Sequence, residues 1–454
     1  MSGGNLIRLL LITILLSSCS SVLKRRTDKL SIIQGITGPR EVEFSVLSQT
    51  KANLTFDLRS AEGEIVSPDE VKKITRQGSS WSVHKLIFLR DQKKDFNLYI
   101  YQDGKLIDQR LIGRGQKNQS SLRVAVVSCA NHYFSDHFKI WDTLASKNPE
   151  YLLMIGDNLY ADVSQSGVKI KVTPDLLWEK YIDQRLSLPV FFQQKLIPIH
   201  ALWDDHDYGM NDGNESYEYK KESAEIFEAF FAQSLNDENY LKGKGVGGLL
   251  SMGDFNLYFL DGRTFRSIET SGSHLGIDQH QWLIKSLSEE AQPSILIKGD
   301  QFFGGYHRFE SYEGNHPRDF ENFISDLRKM KMPFIFISGD RHLSEIMQFP
   351  RSLFGLPSFE ITSSPVHSKL FPNSEVKNPW RVVQNDSSMN FTLIQNIAED
   401  NHWFLDVENI GENGETYFKR ELAVYIKDLQ NNLQEARKRR SGKRRYQRIR
   451  GRRR

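Results

Sequence analysis

Six apolar runs in this chain end in side chains that can bind a cation or carry charge. RVAVVS is followed by Cys129 and Asn131, YLLMIG by Asp157, Asn158 and Tyr160, and IPIHALW by Asp204, Asp205, His206 and Asp207. FNLYFL leads to Asp261 and Arg263, SILIKG to Asp300 and Gln301, and PFIFISG to Asp340, Arg341 and His342. A Gly-Asp pair after one strand is often only a turn, but six such endings in series are hard to produce by chance. Carboxylates and a thiolate gathered in a partly buried place repel one another. Multivalent cations would offset that repulsion and keep the thiol and phenol deprotonated. Asp157 and Tyr160, three apart after a strand, can both reach one ion. A donor set of Cys, Tyr, His and Asp beside carboxylates and amides suits a transition metal next to a harder, oxygen-loving ion. Two ions about 4 Å apart can clamp the attacking and leaving oxygens of a phosphoryl group.

Such groups converge only if the strands lie in one system with their carboxyl ends on one edge, where open α/β sheets bind ligands. From Arg123 onward the pattern fits, because continuous apolar strands alternate with amphipathic stretches. SDHFKIWDTLASK, with Ser135 as a cap, ESYEYKKESAEIFEAFFAQSL, DQHQWLIKSLSEEA and PRDFENFISDLRKM read as helices, the last with Pro317 in its first turn. Strands alternating with helices predict a layered α/β domain. HWFLDVEN and TYFKRELAVYI form a strand pair that closes the sheet system. Upstream, residues 35 to 115 carry short strands (EVEFSVLS, ANLTFDLRS, HKLIFLRD and FNLYIYQDG) that predict a small antiparallel sandwich. RGQKNQSS then reads as a linker. GKGVGG, residues 243 to 248, reads as a flexible loop that lacks the lysine pattern of a phosphate-binding loop. Trp178 and Trp282 belong to the core on this reading. His132, His137, His274, His280, His307, His316 and His367 read as surface or supporting groups.

The two ends of the chain carry different signals. Arg8, the run LLLITILL and then Ser17-Ser18-Cys19 make a secretory signal. The apolar run is too short to span a bilayer. Leu16-Ser17-Ser18-Cys19 also resembles a bacterial lipobox, whose cysteine is lipidated and anchors the mature chain to a membrane; the plainer reading is an ordinary signal peptide with an incidental cysteine. With only 2 cysteines in the sequence, lipidation of Cys19 leaves Cys129 no partner for an intramolecular disulfide. A lone thiol in an oxidising envelope is either buried and inert or held by a metal. Phe, Tyr and Trp number 28, 16 and 7, enough to fill a large core. From Arg437 to the end there are twelve Lys or Arg and no acid, so setting that segment aside takes the net charge from +3 to −9. Such a tail repels itself and could touch anionic lipid or nucleic acid; a solvated tail with loose polyanion contact is the bland alternative.

SCANHYF, IGDNLYAD, LWDDHDYGMND, LDGRTFR, GIDQHQWL, SGDRHLSE and EITSSPV, in that order, resemble the alkaline phosphatase D branch of the metallophosphoesterase superfamily. The resemblance covers residues 123 to about 365. It implies an α/β fold of four layers, two sheets flanked by helices, preceded by a small immunoglobulin-like β-sandwich. The corresponding boundaries are 1–19 for the signal, 20–34 for a linker, 35–120 for the sandwich, 121–430 for the catalytic domain and 431–454 for the basic tail. It also implies a binuclear centre of iron and calcium, with Cys129, Asp157 as bridging carboxylate, Tyr160 as phenolate, and Asp205, Asp340 and His342 as ligands. His206 takes the family's histidine slot. Asp300 and Gln301 fall near the remaining ligand slot, and Asp204 is unsettled.

The implied reaction is hydrolysis of phosphomonoesters or phosphodiesters by in-line attack of a metal-bound hydroxide. His206 would protonate the leaving group or stabilise the transition state, since its pKa lies near neutrality. Arg263 would either grip phosphate oxygens bidentately or brace the sheet edge, and Arg341 is a second candidate. Loops 162 to 173 and 207 to 222 would set specificity. The rival function is an envelope lipoprotein without catalysis, binding polyanions through its sandwich and basic tail.

Overall fold

A computed structural model describes residues 25–35, 41–91, 94–113, 121–234, 240–252, 255–290, 293–307, 310–330, 332–371, 377–399 and 402–425. The expected signal and lipobox, most of the linker RGQKNQSS and the basic tail lie outside these residues.

The fold is mixed α/β. One sheet has six strands in the order Ile199–Leu202, Tyr151–Ile155, Ser121–Val127, Asn390–Glu399, His402–Gly411, Thr416–Tyr425. Its first three strands are parallel, and the last three join antiparallel, so the predicted strand pair near the chain end does close this sheet. A second sheet has eight strands, of which Phe255–Phe259, Ser294–Ile297, Phe334–Ser338 and Ser358–Thr362 form a parallel centre. Alternation along these central strands assigns each face its own core. Leu257, Phe259, Ile295, Ile297, Ile335 and Ile337 share a core with Val124, Val126 and Leu153 of the first sheet. Tyr258, Leu296, Phe334 and Phe336 point the other way, against Leu283, Phe320, Phe323 and Leu327 of two helices. A sheet covered on both faces needs apolar residues at consecutive positions, which is why these strands read as unbroken apolar runs.

Helix Pro317–Lys329 buries Phe320, Phe323, Ile324 and Leu327, the three- and four-residue spacing of a single helix face. Ile277–Glu290 lies where the sequence predicts it. Helix Lys139–Ser146 begins after a short 3-10 turn at Ser135–His137 and has no side-chain cap, so Ser135 is not its cap. Helix Lys220–Phe230 is shorter than the expected stretch. Helix Pro174–Ser187 was not expected. Its cue is in the sequence, as Thr173 accepts from Leu176 N at 3.3 Å with Pro174 in the first turn.

Upstream, two four-stranded antiparallel sheets share a core of Val42, Phe44, Phe88, Phe56, Leu98 and Ile100. Ser31–Gln34, expected in the linker, is one of their strands and pairs with Glu41–Gln49. This sandwich is also bonded to the larger body. The Arg185 guanidinium is fully buried and donates to Ser31 O at 2.8 Å, Ser45 O at 2.9 Å and Phe230 O at 2.7 Å. GKGVGG is not a loose loop. Gly243 N donates to Gly247 O at 3.0 Å, and Val246 N donates to Asp261 at 3.2 Å. Gly245 sits at φ 60°, and a Cβ there would lie 2.0 Å from the Asp261 carboxylate.

Candidate metal centre

The carboxyl ends of both sheets' parallel strands meet, and the residues predicted from the strand endings come with them. Four groups of side chains each place one ligand atom per residue within 4.8 Å of the others: Cys129, Asp157 and His342; Asp157, Asp205 and His206; Asp204, Asp205 and Asp340; Asp205, Asp212 and Glu310. Asp157 and Asp205 recur, so the groups form one continuous cluster. Tyr160 belongs to it, with its hydroxyl 3.1 Å from His342 Nε2 and accepting from Ser368 Oγ at 3.1 Å.

The backbone is shaped to bring these atoms together. Cys129, Asp157, Asp340 and His342 have φ of 55°, 50°, 61° and 53°, the left-handed region that non-glycine residues seldom occupy. Strain of this kind persists where the surrounding structure over-determines it, and it gathers at functional sites. Gly299 allows the two sheets' loops to touch, since a Cβ there would meet the Asp204 carboxylate at 2.6 Å. Asp207 ties two strand-end loops together. It accepts from Asn158 N at 3.0 Å and Asn158 Nδ2 at 2.6 Å through one oxygen, and from Asp204 N at 2.5 Å through the other.

Burial dominates the electrostatics. It pushes Asp157 and Asp340 well above the usual carboxylate range, with neighbouring carboxylates adding to the effect. It lifts the Cys129 thiol to about 12, with the Asp340 charge adding, and carries Tyr160 well above an ordinary phenol. Asp204 rises to about 6 through burial, partly offset by the Arg263 charge. Asp205 alone among these carboxyls is lowered, because Arg263 and His206 outweigh its burial. Where burial and mutual repulsion favour the protonated forms of Asp157 and Asp340, a cation can take the place of the protons. Asp204 Oδ2 and Asp205 Oδ1 are buried without hydrogen-bond partners among the described residues, as ligand atoms would be. The residues present therefore fit a metal centre.

His206 packs against Tyr160 with ring centroids 4.2 Å apart and the planes tilted by 35°, and its Nδ1 is bonded to Asp162 at 2.5 Å. Burial opposes its charge, yet Asp205 and Asp162 raise it to about 9. Arg263 is fully buried among acids: Nε on Asp204, Nη2 3.5 Å from Glu310 and Nη1 4.0 Å from Asp205. The bracing alternative for Arg263 matches this placement. Asp300, expected near a ligand slot, is in none of the four groups, because Lys298 and Arg266, the latter at 2.8 Å, already neutralise it, while His274 stands 3.3 Å away with its imidazole held neutral by burial. Gln301 is likewise turned away, donating to Glu345 at 2.7 Å and Thr362 at 2.9 Å.

Asp212, Glu310 and Asp162 were missed. Asp162 and Asp212 end the motifs IGDNLYAD and LWDDHDYGMND, so the signal was present, whereas Glu310 follows no apolar run. His132, His274, His316 and His367 are buried rather than on the surface. His367 supports the Cys129 loop by bonding Asn131 O at 3.0 Å and accepting from Trp141 Nε1 at 2.9 Å. A cavity of about 540 Å³ borders the centre at Asp162, lined also by Lys169, Lys171, Met210, Asn211 and Tyr217. Both of the loops expected to set specificity contribute to it.

The class of protein these features describe is an α/β protein with a buried acidic, histidine- and cysteine-containing cation site at its strand ends. The family model of PhoD-like phosphatases matches residues 124–409, more than half of the chain, and the chain belongs to that family. Membership gives the reaction class, phosphoester hydrolysis by a phosphatase that uses metals. No curated protein matches the chain. The crystal structure of TT1561 of Thermus thermophilus is similar at 12% identity, covering 54% of this chain and 90% of that one, with a TM-score of 0.28.

Proposed function

We propose that the chain hydrolyses phosphate monoesters, diesters or both at a binuclear centre. Cys129, Asp157, Tyr160 and His342 would hold one ion, and Asp157, Asp204, Asp205 and Asp340 the other. Thiolate, phenolate and imidazole suit iron, and carboxylates suit calcium. Cations held there would supply Lewis acidity and charge neutralisation at phosphoryl oxygens. His206, charged through Asp205 and Asp162, presents Nε2 as the donor of a proton to the leaving alkoxide. Its Nδ1 bond to Asp162 fixes the ring's orientation.

The observation that carries this reading is the continuous cluster joining Cys129 to Glu310 through shared Asp157 and Asp205. Metal analysis, with turnover of p-nitrophenyl phosphate and bis-p-nitrophenyl phosphate before and after chelation, tests it. A folded, metal-loaded protein that cleaves neither ester would refute it. We infer further that the layers amount to the four-layer arrangement of metallophosphoesterases, and that the upstream sandwich is an immunoglobulin-like domain. Export to the cell envelope, lipid anchoring through Cys19 and loose polyanion contact by the tail rest on the terminal sequence alone. Mass spectrometry of the mature N-terminus decides the anchoring.

A further inference from the structure

The turn that supplies Asp340 and His342 also carries a guanidinium with no ion pair among the described residues. Arg341 is 6% exposed, and its Nε is buried without a hydrogen-bond partner. Its guanidinium carbon stands 5.4 Å from the centroid of the Tyr306 ring, and it donates a hydrogen bond to the Tyr306 hydroxyl. That hydroxyl also donates to Glu345 at 2.9 Å, but Glu345 is not left over for Arg341. Arg381 Nε and Gln301 Nε2, the latter at 2.7 Å, already bond it. Arg263, by contrast, has Asp204, Asp205 and Glu310 around it. A buried charge without a counter-charge is costly to keep. Arg341 stands between Asp340 and His342 in this turn, and both of those residues belong to the cation cluster.

We propose that Arg341 is the substrate's oxyanion clamp, and that it favours doubly charged phosphomonoesters over singly charged diesters. This rests on the phosphoesterase reading above and names the substrate class of that same site. A monoester's second ionisation falls near pH 6, so at neutral pH and above it carries close to two charges over three non-bridging oxygens. A diester carries one charge over two. A planar guanidinium pairs two oxygens of one phosphate at once. With the cations also binding non-bridging oxygens, only the monoester keeps a charged oxygen to spare for Arg341. Removing the guanidinium therefore penalises monoesters selectively.

The test uses metal-loaded wild type, R341Q and R341K, with kcat/KM for p-nitrophenyl phosphate and bis-p-nitrophenyl phosphate, inhibition by inorganic phosphate, and metal content. In R341Q, monoester kcat/KM should fall by about 10- to 100-fold, the range of charge-assisted hydrogen bonds, and phosphate inhibition should weaken to match. Diester turnover should change only a few-fold and metal content not at all, with R341K between wild type and R341Q. Equal losses on both esters, or unchanged phosphate inhibition, overturn the proposal. So does loss of metal or fold in both variants, which assigns Arg341 to scaffolding. If wild type cleaves neither ester, the phosphoesterase reading fails, and calorimetric phosphate binding still judges the clamp: equal affinity in wild type and R341Q overturns it.

Discussion

Nδ1 of His206 and Oδ1 of Asp162 lie 2.5 Å apart, and this contact fixes which ring nitrogen faces the cation cluster. The other Asp162 oxygen accepts from Asn211 N at 3.0 Å, so the carboxylate is itself held in place. Asp205 and Asp162 together raise the imidazole to about 9 against the effect of its burial. An imidazolium that persists above neutrality is suited to protonating a leaving alkoxide.

Replacing Asp162 by Asn removes one of the three carboxylate charges that raise His206, so its pKa drops and the acid form is lost at lower pH. The alkaline limb of the kcat profile should move to lower pH, and kcat at pH 9 should fall by roughly 10- to 100-fold, at the low end of general acid catalysis. Rates of the metal-loaded enzyme between pH 6 and 10 check this. A profile identical to wild type would remove His206 as the acid.

Cys129 accepts from Ser364 Oγ at 3.1 Å and Ser128 Oγ at 3.5 Å, and burial holds its thiol neutral up to about 12. Only a cation could draw out the thiolate at ordinary pH. Cys129→Ser keeps the size and replaces a soft donor by a hard, rarely ionised one. Affinity for the softer ion should fall at least about 10- to 100-fold, the loss seen even for outer partners of metal ligands. Competition with a chelator measures it, with circular dichroism to establish folding. Unchanged affinity would return Cys129 to the role of a small buried apolar residue.

Arg263 stands among three carboxylates, so its removal leaves Asp204, Asp205 and Glu310 uncompensated inside the protein. Arg263→Gln should destabilise the metal-free protein by about 3–5 kcal/mol, the usual cost of orphaning a buried ion-pair partner. Urea denaturation before and after metal loading measures it, and bound cations should recover part of the loss. Unchanged stability with a raised KM would make Arg263 a substrate contact instead.

Much of the centre was legible because strand endings are local features. A strand buried on both faces must be an apolar run, and the charged residue just beyond it has nowhere to go but the sheet edge. That logic found Cys129, Asp157, Asp204, Asp205, Asp340 and His342. It misplaced Asp300, because only one of its two neutralising partners, Lys298, is local, while Arg266 lies 34 residues earlier in sequence. It could not see Glu310, which arrives from a loop with no periodic signal. Sequence favours Arg263 over Arg341 as the phosphate contact, whereas their buried surroundings favour the reverse, since sequence shows that a guanidinium is present but not which acids surround it. Helix Pro174–Ser187 was lost differently, since its cap was visible while its core face, with Lys180, Gln184 and Arg185 buried, does not read as amphipathic.

His200, on the strand Ile199–Leu202, lies between the sheets with its ring 4.0 Å from Phe259 and 5.0 Å from Tyr240. Its Nε2 is buried without a partner among the described residues, and burial lowers the imidazole from 6.5 to about 3. The unfolded ring takes a proton near 6.5, whereas the folded ring stays neutral until about 3. The unfolded chain therefore binds more protons in that window, and stability present above pH 6.5 is lost as the pH falls through it. One such group costs about 1.4 kcal/mol per pH unit once the unfolded ring is charged. His132, lowered to about 3, and His84 and His367, lowered to about 4, act in the same direction. His200→Phe removes one titrating group from an aromatic surround that accepts a ring. Its stability should decline less steeply than wild type between pH 6 and 4, by up to one proton's worth of slope. Urea midpoints at pH 8, 6, 5 and 4 for both proteins measure this, and parallel curves would mean that His200 takes up its proton within the folded state.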